Sequence, residues 1–167
     1  MKKYLVMLVV AILAATACED ENKQLQQDLD KLMTENDSIE KVHSDFEGIH
    51  QQMTSKYEEL SQRLESAAIE DSSMLENLAA HEVVLQKHET WMKSHQEMIS
   101  NHKELKADFE TMTDAEKEAQ ISKMKTDHQN IMMEHETMRS EHDKMKKDFD
   151  EVTKSLTESE TGSEETS

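Results

Sequence analysis

Histidines at heptad spacing are the residues in this sequence that are best placed to do chemistry. All nine histidines belong to three sets in which neighbours lie seven residues apart. The sets are His43 and His50; His81, His88, His95 and His102; and His128, His135 and His142. Seven residues are about two turns of an α-helix, so each set lies on one helix face. Imidazole binds zinc and copper readily, so several such faces brought together predict a metal site.

Methionines accompany the histidines at a spacing that keeps both on the same helix face. The candidate thioether ligands are Met53, Met98, Met138 and Met145, each in an H-x-x-M motif. The soft thioether prefers Cu(I) or Ag(I), whereas imidazole also accepts Zn(II) and Cu(II). These short motifs are similar to those of periplasmic silver- and copper-binding proteins. Two other roles stay open: methionine as a filler of core gaps, and histidine as a polar seam residue that fixes helix alignment.

The rest of the pattern predicts helices that pack along narrow seams. With histidine at position a, position d is apolar, as at Val84, Trp91, Met98 and Leu105 in the second set. The chain has no proline and two glycines, 34% charged residues and 4% aromatics. A sustained 3,4 apolar spacing with few large side chains indicates coiled-coil packing. We therefore expect an all-α protein, an elongated antiparallel three-helix bundle resembling a coiled coil.

Two breaks in the heptad phase divide the chain into helices near 20–70, 74–111 and 114–157. The turn formers Glu70-Asp71-Ser72-Ser73 lie at the first break, and Thr113-Asp114-Ala115-Glu116 at the second has the pattern of a capping box. Short connections favour an up-down-up arrangement. The alternative is one long rod that pairs with other chains. The acidic tail 158–167 is expected to be disordered.

Folding at these two turns predicts which histidines meet. Turns near residues 72 and 112 bring His50, His95 and His128 into one layer, a three-imidazole arrangement that would suit zinc or copper. A slip of three or four residues instead places His88 beside Met138 and gives mixed layers. The spacing alone leaves both registers open.

The N-terminus has the pattern of a bacterial lipoprotein. Residues 1–17 contain two lysines and then an apolar stretch, which is typical of a signal peptide. Ala15-Thr16-Ala17-Cys18 resembles a lipobox, and the following Glu19-Asp20-Glu21 is similar to the surface-export signal of Bacteroidetes lipoproteins. The resemblance implies acyl chains such as palmitate on Cys18, an acidic tether over 18–24, and an outer-membrane protein that faces the periplasm or the cell surface.

Charge and motif content narrow the function further. The formal net charge of -18 argues against a nucleic-acid partner. Glu40-Lys-Val-His43 and Glu47-Gly-Ile-His50 have the E-x-x-H form of di-iron bundles, but those need four helices, so we expect no enzyme. The prediction is a lipoprotein of the cell envelope that binds Cu, Ag or Zn as a buffer, scavenger or sensor. The alternatives are a structural or surface-interaction coiled coil, which could self-associate, and an acid sensor.

Lipidation gives the first testable expectation. In its native host, the Cys18→Ser variant should be released from the membrane fraction or keep its signal peptide, because the thiol that carries the lipid is gone. Fractionation and intact-mass analysis measure both outcomes. Wild-type protein with an unmodified Cys18 would contradict the expectation.

Overall fold

The chain forms three long helices in a computed structural model that describes the backbone of residues 2–66 and 72–164 and the side chains of 21–66 and 73–158. The elements are α1 (Lys2–Ser66), α2 (Ser72–Asp108), a 3-10 turn (Phe109–Thr111) and α3 (Asp114–Glu164). Over the described backbone there is no strand. The prediction of an all-α, three-helix fold is confirmed, and the long-rod alternative is wrong because the helices pack against each other.

The helix ends differ from those predicted in two places. Helix α3 continues to Glu164, past the expected end at 157, and Leu156 is fully buried. The helix is longer than predicted because no proline or glycine interrupts it before Gly162, and the disorder expected for 158–167 stays a prediction. Helix α1 extends back to Lys2. The side chain of Cys18 lies outside the described residues, so lipidation stays a prediction.

The start of α3 is fixed by the capping box that the sequence predicted. The Thr113 backbone N–H donates to Glu116 Oε2 (2.8 Å), and the Glu116 N–H donates to Thr113 Oγ1 (3.4 Å). Both bonds satisfy amides that a helix N-terminus would otherwise leave free. The bond from the Thr113 hydroxyl also lowers the pKa of Glu116. The other predicted turn includes residues 70 and 71, which lie outside the described residues.

The chain divides into two compact units, and each has its own hydrophobic cluster. Unit 1 comprises 1–39 and 98–130, and unit 2 comprises 40–97 and 131–167. The unit 1 cluster is built from Leu25, Leu29, Leu32, Phe109, Ile121 and Met124. The unit 2 cluster is built from Leu60, Leu64, Leu78, Leu85, Met145, Phe149, Val152 and Leu156, which come from all three helices. The unit 1 cluster comes from α1, α3 and the 3-10 turn, with the partly buried Leu105 of α2 packed against it. Apolar burial therefore holds each unit together.

Helix α2 uses its histidines differently from the other two helices. In α1 and α3 the buried apolar residues follow the predicted a and d positions, but in α2 they are Leu78, Leu85, Met92 and Ile99. The predicted d residues Val84, Trp91 and Met98 are only half-buried. The predicted apolar positions of α2 are therefore wrong by one residue, whereas its histidines are buried as predicted. With the buried apolar residues at position a, the histidines lie three residues later, at position d. This assignment suits antiparallel packing, in which position a of one helix faces position d of its neighbour.

The capping box supplies the second testable expectation. Thr113→Ala removes the hydroxyl that accepts from the α3 N-terminus and should lower the free energy of unfolding by about 1 kcal/mol. Thr126→Ala is the control: this exposed threonine lies within α3 and bonds only to the Ser122 carbonyl among the described contacts, so its loss should cost little. Urea denaturation of both variants gives the comparison. Equal effects would mean that the cap contributes nothing.

Candidate metal centre

Three buried histidines, one from each helix, converge in unit 2. His43, His95 and His135 are at most 4% exposed, and one nitrogen from each lies within 4.8 Å of the other two. Their ring centroids are 5.0–5.9 Å apart. Nδ1 of His95 and Nε2 of His135 have no hydrogen-bond partner, and neither has either nitrogen of His43. We call these residues the first triad.

A second triad, formed by His50, His88 and His142, also lies in unit 2. One nitrogen from each residue again lies within 4.8 Å of the others. Here two rings already touch, since Nδ1 of His88 and Nε2 of His142 are 3.2 Å apart and hydrogen-bonded. Nδ1 of His50 and Nδ1 of His142 have no partner. An ion at this triad would have to replace the bond between His88 and His142.

The triads correct the predicted register by one heptad. The expected layer of His50, His95 and His128 does not form: His95 meets His43 and His135, one heptad away on α1 and on α3. The expected mixture of His88 with Met138 does not form either, because His88 meets His142. The all-histidine layers arise because the d positions of α2 face the a positions of the other helices.

Carboxylates on α3 hold the α2 histidines, and this pairing was missed by the sequence analysis. Nε2–H of His95 donates to Glu134 Oε2 (2.5 Å), and Nε2–H of His88 donates to Glu141 Oε2 (2.6 Å). The same hydrogen bond recurs between His102 and Asp127 (3.0 Å). His81 Nε2 also lies 3.0 Å from Asp148 Oδ2, although the two atoms are not aligned for a hydrogen bond. In each case the acidic residue directly precedes a residue at position a of α3. The sequence shows this as a dipeptide, acidic then aromatic, that recurs every seven residues.

These carboxylates determine which nitrogen of His95 and of His88 carries the proton and which carries the lone pair. An ionised carboxylate only accepts, so the proton of neutral His95 or His88 lies on Nε2 and the lone pair on Nδ1. Nδ1 is therefore the atom that a metal ion would bind. A carboxylate behind a ligating imidazole fixes the ring and increases its basicity, as at many zinc sites. Glu141 is itself held by Lys87 Nζ at 2.6 Å.

The remaining histidines do not join a triad. In unit 1, His102 Nδ1 is 3.1 Å from Asn36 Oδ1, and Asn36 Nδ2 donates to the Ile99 carbonyl (3.3 Å). His128 packs edge-on against His102, with centroids 5.1 Å apart, so this layer has asparagine where a third histidine would be needed. In unit 2, His81 packs edge-on against Phe149 at 5.2 Å.

The candidate methionines lie in or against apolar layers. Met138 is fully buried in a cluster with Phe46 and Met92, and Met145 lies in the large cluster of unit 2. Met53 packs against that large cluster, and Met98 is half-buried. Phe46 stacks on His135 at 4.8 Å and lies 6.2 Å from His142, so its ring contacts one member of each triad. These contacts are those of core residues that separate the triads.

Burial favours the neutral form of five triad histidines. It lowers the pKa of His135 to about 4, and His95 and His43 lower that pKa further. Burial likewise lowers the pKa of His142 to about 4, with His88 and His50 adding to the effect. The pKa values of His43, His50 and His88 are also lowered, chiefly by burial. Neutral imidazole is the form that binds metal ions.

The donor set of each triad suits a borderline divalent ion. Three imidazoles with a fourth position left for water is the ligand set of some zinc sites. Zn–N bonds of about 2.0–2.1 Å put ligand nitrogens about 3.3 Å apart, so those of a triad must approach by up to about 1.5 Å. Ring rotation between rotamers can supply such a shift.

Comparison with known proteins identifies no relative. No protein-family model matches the chain, and no curated protein or solved structure is significantly similar to it. None of the helices, over the residues that the structure describes, has the length and apolar content needed to cross a bilayer.

The lowered pKa values predict how stability responds to acid. His135 and His142 have pKa values of about 4 in the fold against 6.5 ordinarily, so below pH 6.5 the unfolded chain binds more protons. The free energy of unfolding of the metal-free protein should therefore fall between about pH 6.5 and 4, by up to about 1.4 kcal/mol per pH unit for each of the two. Urea denaturation at several pH values measures it. The double variant His135→Leu/His142→Leu should show a shallower fall, and a constant stability between pH 7 and 5 would contradict buried neutral rings.

Proposed function

We propose that this protein is a lipoprotein of the cell envelope that binds divalent transition-metal ions at its two histidine triads. The observation that carries the proposal is the convergence, twice in unit 2, of three buried imidazoles from three different helices. In the first triad each of the three helices supplies a nitrogen without a hydrogen-bond partner, and a metal ion bound to them would join the helices. In the second triad an ion would join the helices by replacing the bond between His88 and His142.

The unpartnered nitrogens support metal binding over a purely structural seam. A buried polar atom without a partner costs about 1–3 kcal/mol, and each triad contains more than one. One asparagine is enough to fix alignment in a helical seam. Asn36 is such a residue, since its amide donates to the Ile99 carbonyl. Each triad contains at least two unpartnered nitrogens, and a bound ion would be a partner for them.

The ligand chemistry favours Zn(II) and Cu(II) over Cu(I) and Ag(I). The triads supply nitrogen ligands, to which both divalent ions bind well. Met138 and Met145, the thioether candidates nearest to full burial, are packed in apolar clusters. We therefore propose that the methionines shape the core and the histidines bind the ion.

The proposed role in the envelope is that of a metal buffer or scavenger. A net charge of -18 would concentrate cations around the chain. A lipid on Cys18 would hold the helical domain at the membrane, where it meets incoming ions first. The competing role, a spacer with a polar seam, is favoured by the unit 1 layer, in which Asp127 accepts from His102 and Asn36 donates to the Ile99 carbonyl.

Metal stoichiometry tests the proposal. Wild-type protein should bind two Zn(II) or Cu(II) ions per chain in isothermal titration at pH 7.5, one for each triad. His135→Leu and His142→Leu should each reduce the number to one, and the double variant should bind none. Binding should also raise the free energy of unfolding by about 2.7 kcal/mol at a free ion concentration one hundred times Kd.

His81→Leu is the matched control. His81 is a buried α2 histidine paired with a carboxylate, but it faces Phe149 and lies outside both triads, so its variant should still bind two ions. Leucine adds apolar burial at all these positions, so the variants should fold. A wild-type protein that binds neither ion would refute the function and leave the spacer role.

A further inference from the structure

We propose that an acidic groove between α1 and α2 of unit 2 is the intake site through which a divalent cation reaches the triads. The proposal rests on the proposed metal-binding function and adds the route by which the ion enters. Glu47, Glu89 and Glu97 line this groove, together with His50 and Lys93. The groove encloses about 520 Å³ and is open to solvent.

His50 connects the groove to the second triad. Its side chain lines the groove but is only 9% exposed. Its Nδ1 is buried without a hydrogen-bond partner, and one of its nitrogens lies within 4.8 Å of those of His88 and His142. The floor of the groove therefore includes one ligand of the triad. A cation held by the glutamates would have this imidazole as its next ligand.

Glu47 connects the groove to the first triad. Its Oε1 lies 3.6 Å from Nε2 of His43, which has no hydrogen-bond partner. The same side chain lines the groove and is 48% exposed, so its carboxylate is free to turn towards solvent. Glu47 thus lies beside ligands of both triads, which suits a carboxylate that transfers an ion from water to imidazole.

The charges of the groove favour a hydrated cation. Three carboxylates face one ammonium, Lys93, and Lys93 Nζ is paired with Glu89 Oε1 at 2.7 Å. Glu47 and Glu97 thus add negative charge beyond that pair. Carboxylates hold hydrated divalent ions weakly, so an ion can exchange onward to the neutral imidazoles, which bind Zn(II) and Cu(II) more strongly. Such a site increases the rate of loading and leaves the final occupancy to the triads.

The rate of Cu(II) binding tests the intake site. Trp91 is the single tryptophan and stacks on His88 with centroids 5.9 Å apart, so paramagnetic Cu(II) in the second triad should quench its fluorescence. In stopped-flow mixing, Glu47→Gln/Glu89→Gln/Glu97→Gln should lower the association rate constant about tenfold at low salt. The wild-type rate should fall with added salt more steeply than that of the variant. The stoichiometry, set by the histidines, should stay at two.

The control variant is Glu58→Gln/Glu65→Gln/Glu151→Gln. It removes the same charge from exposed positions of unit 2 outside the groove and should change the rate less than twofold. Equal rates for the two triple variants, with two ions bound, would overturn the intake site and leave the metal function intact. A wild-type chain that binds no Cu(II) would overturn both.

Discussion

A buried neutral imidazole has one N–H that needs an acceptor and one nitrogen lone pair that needs a donor or a metal ion. The rest of this structure depends on how these two needs are met. For the α2 rings the solution is a carboxylate on α3, as in the pairs of His95 with Glu134 and His88 with Glu141. Each pair fixes the tautomer, turns the lone pair inwards and joins two helices. The same bonds that keep a polar seam folded would also orient it to bind an ion. Under the proposed function, stability and metal binding use one set of contacts.

The sequence was sufficient to predict the helices, the seams of α1 and α3, the burial of the α2 histidines and the cap at Thr113, since these depend on local periodicity and short motifs. The apolar positions of α2 were predicted one residue too early. The register could not be predicted, because a shift by one heptad preserves every a and d assignment and changes only which layers meet. Side-chain pairing separates the alternatives. In the observed register each α2 histidine faces an acidic residue of α3, including His102 with Asp127; in the predicted one, His102 would face Ile121, preceded by Gln120.

The two units show two ways to bury histidine in the same helices. In unit 1, Asn36 takes the α1 position of the layer, and its amide donates to the Ile99 carbonyl. In unit 2, a third histidine takes that position in each triad, and several nitrogens have no partner. A single change of residue type on α1 thus separates a layer of two histidines from a layer of three, although His128 of unit 1 also has an unpartnered Nε2. The apolar layer of Phe46 and Met138 keeps the two triads apart.

The displacement of the α2 histidines to position d gives two similar segments opposite parts in one interaction. The segments that begin at His95 and His135 both carry histidine, methionine and phenylalanine at the same spacing, yet they lie on neighbouring antiparallel helices. They differ in the residue before each histidine. Acidic residues precede His128, His135 and His142 on α3, whereas Lys87 and Ser94 precede His88 and His95 on α2. One residue per heptad thus decides which helix supplies the donor and which the acceptor.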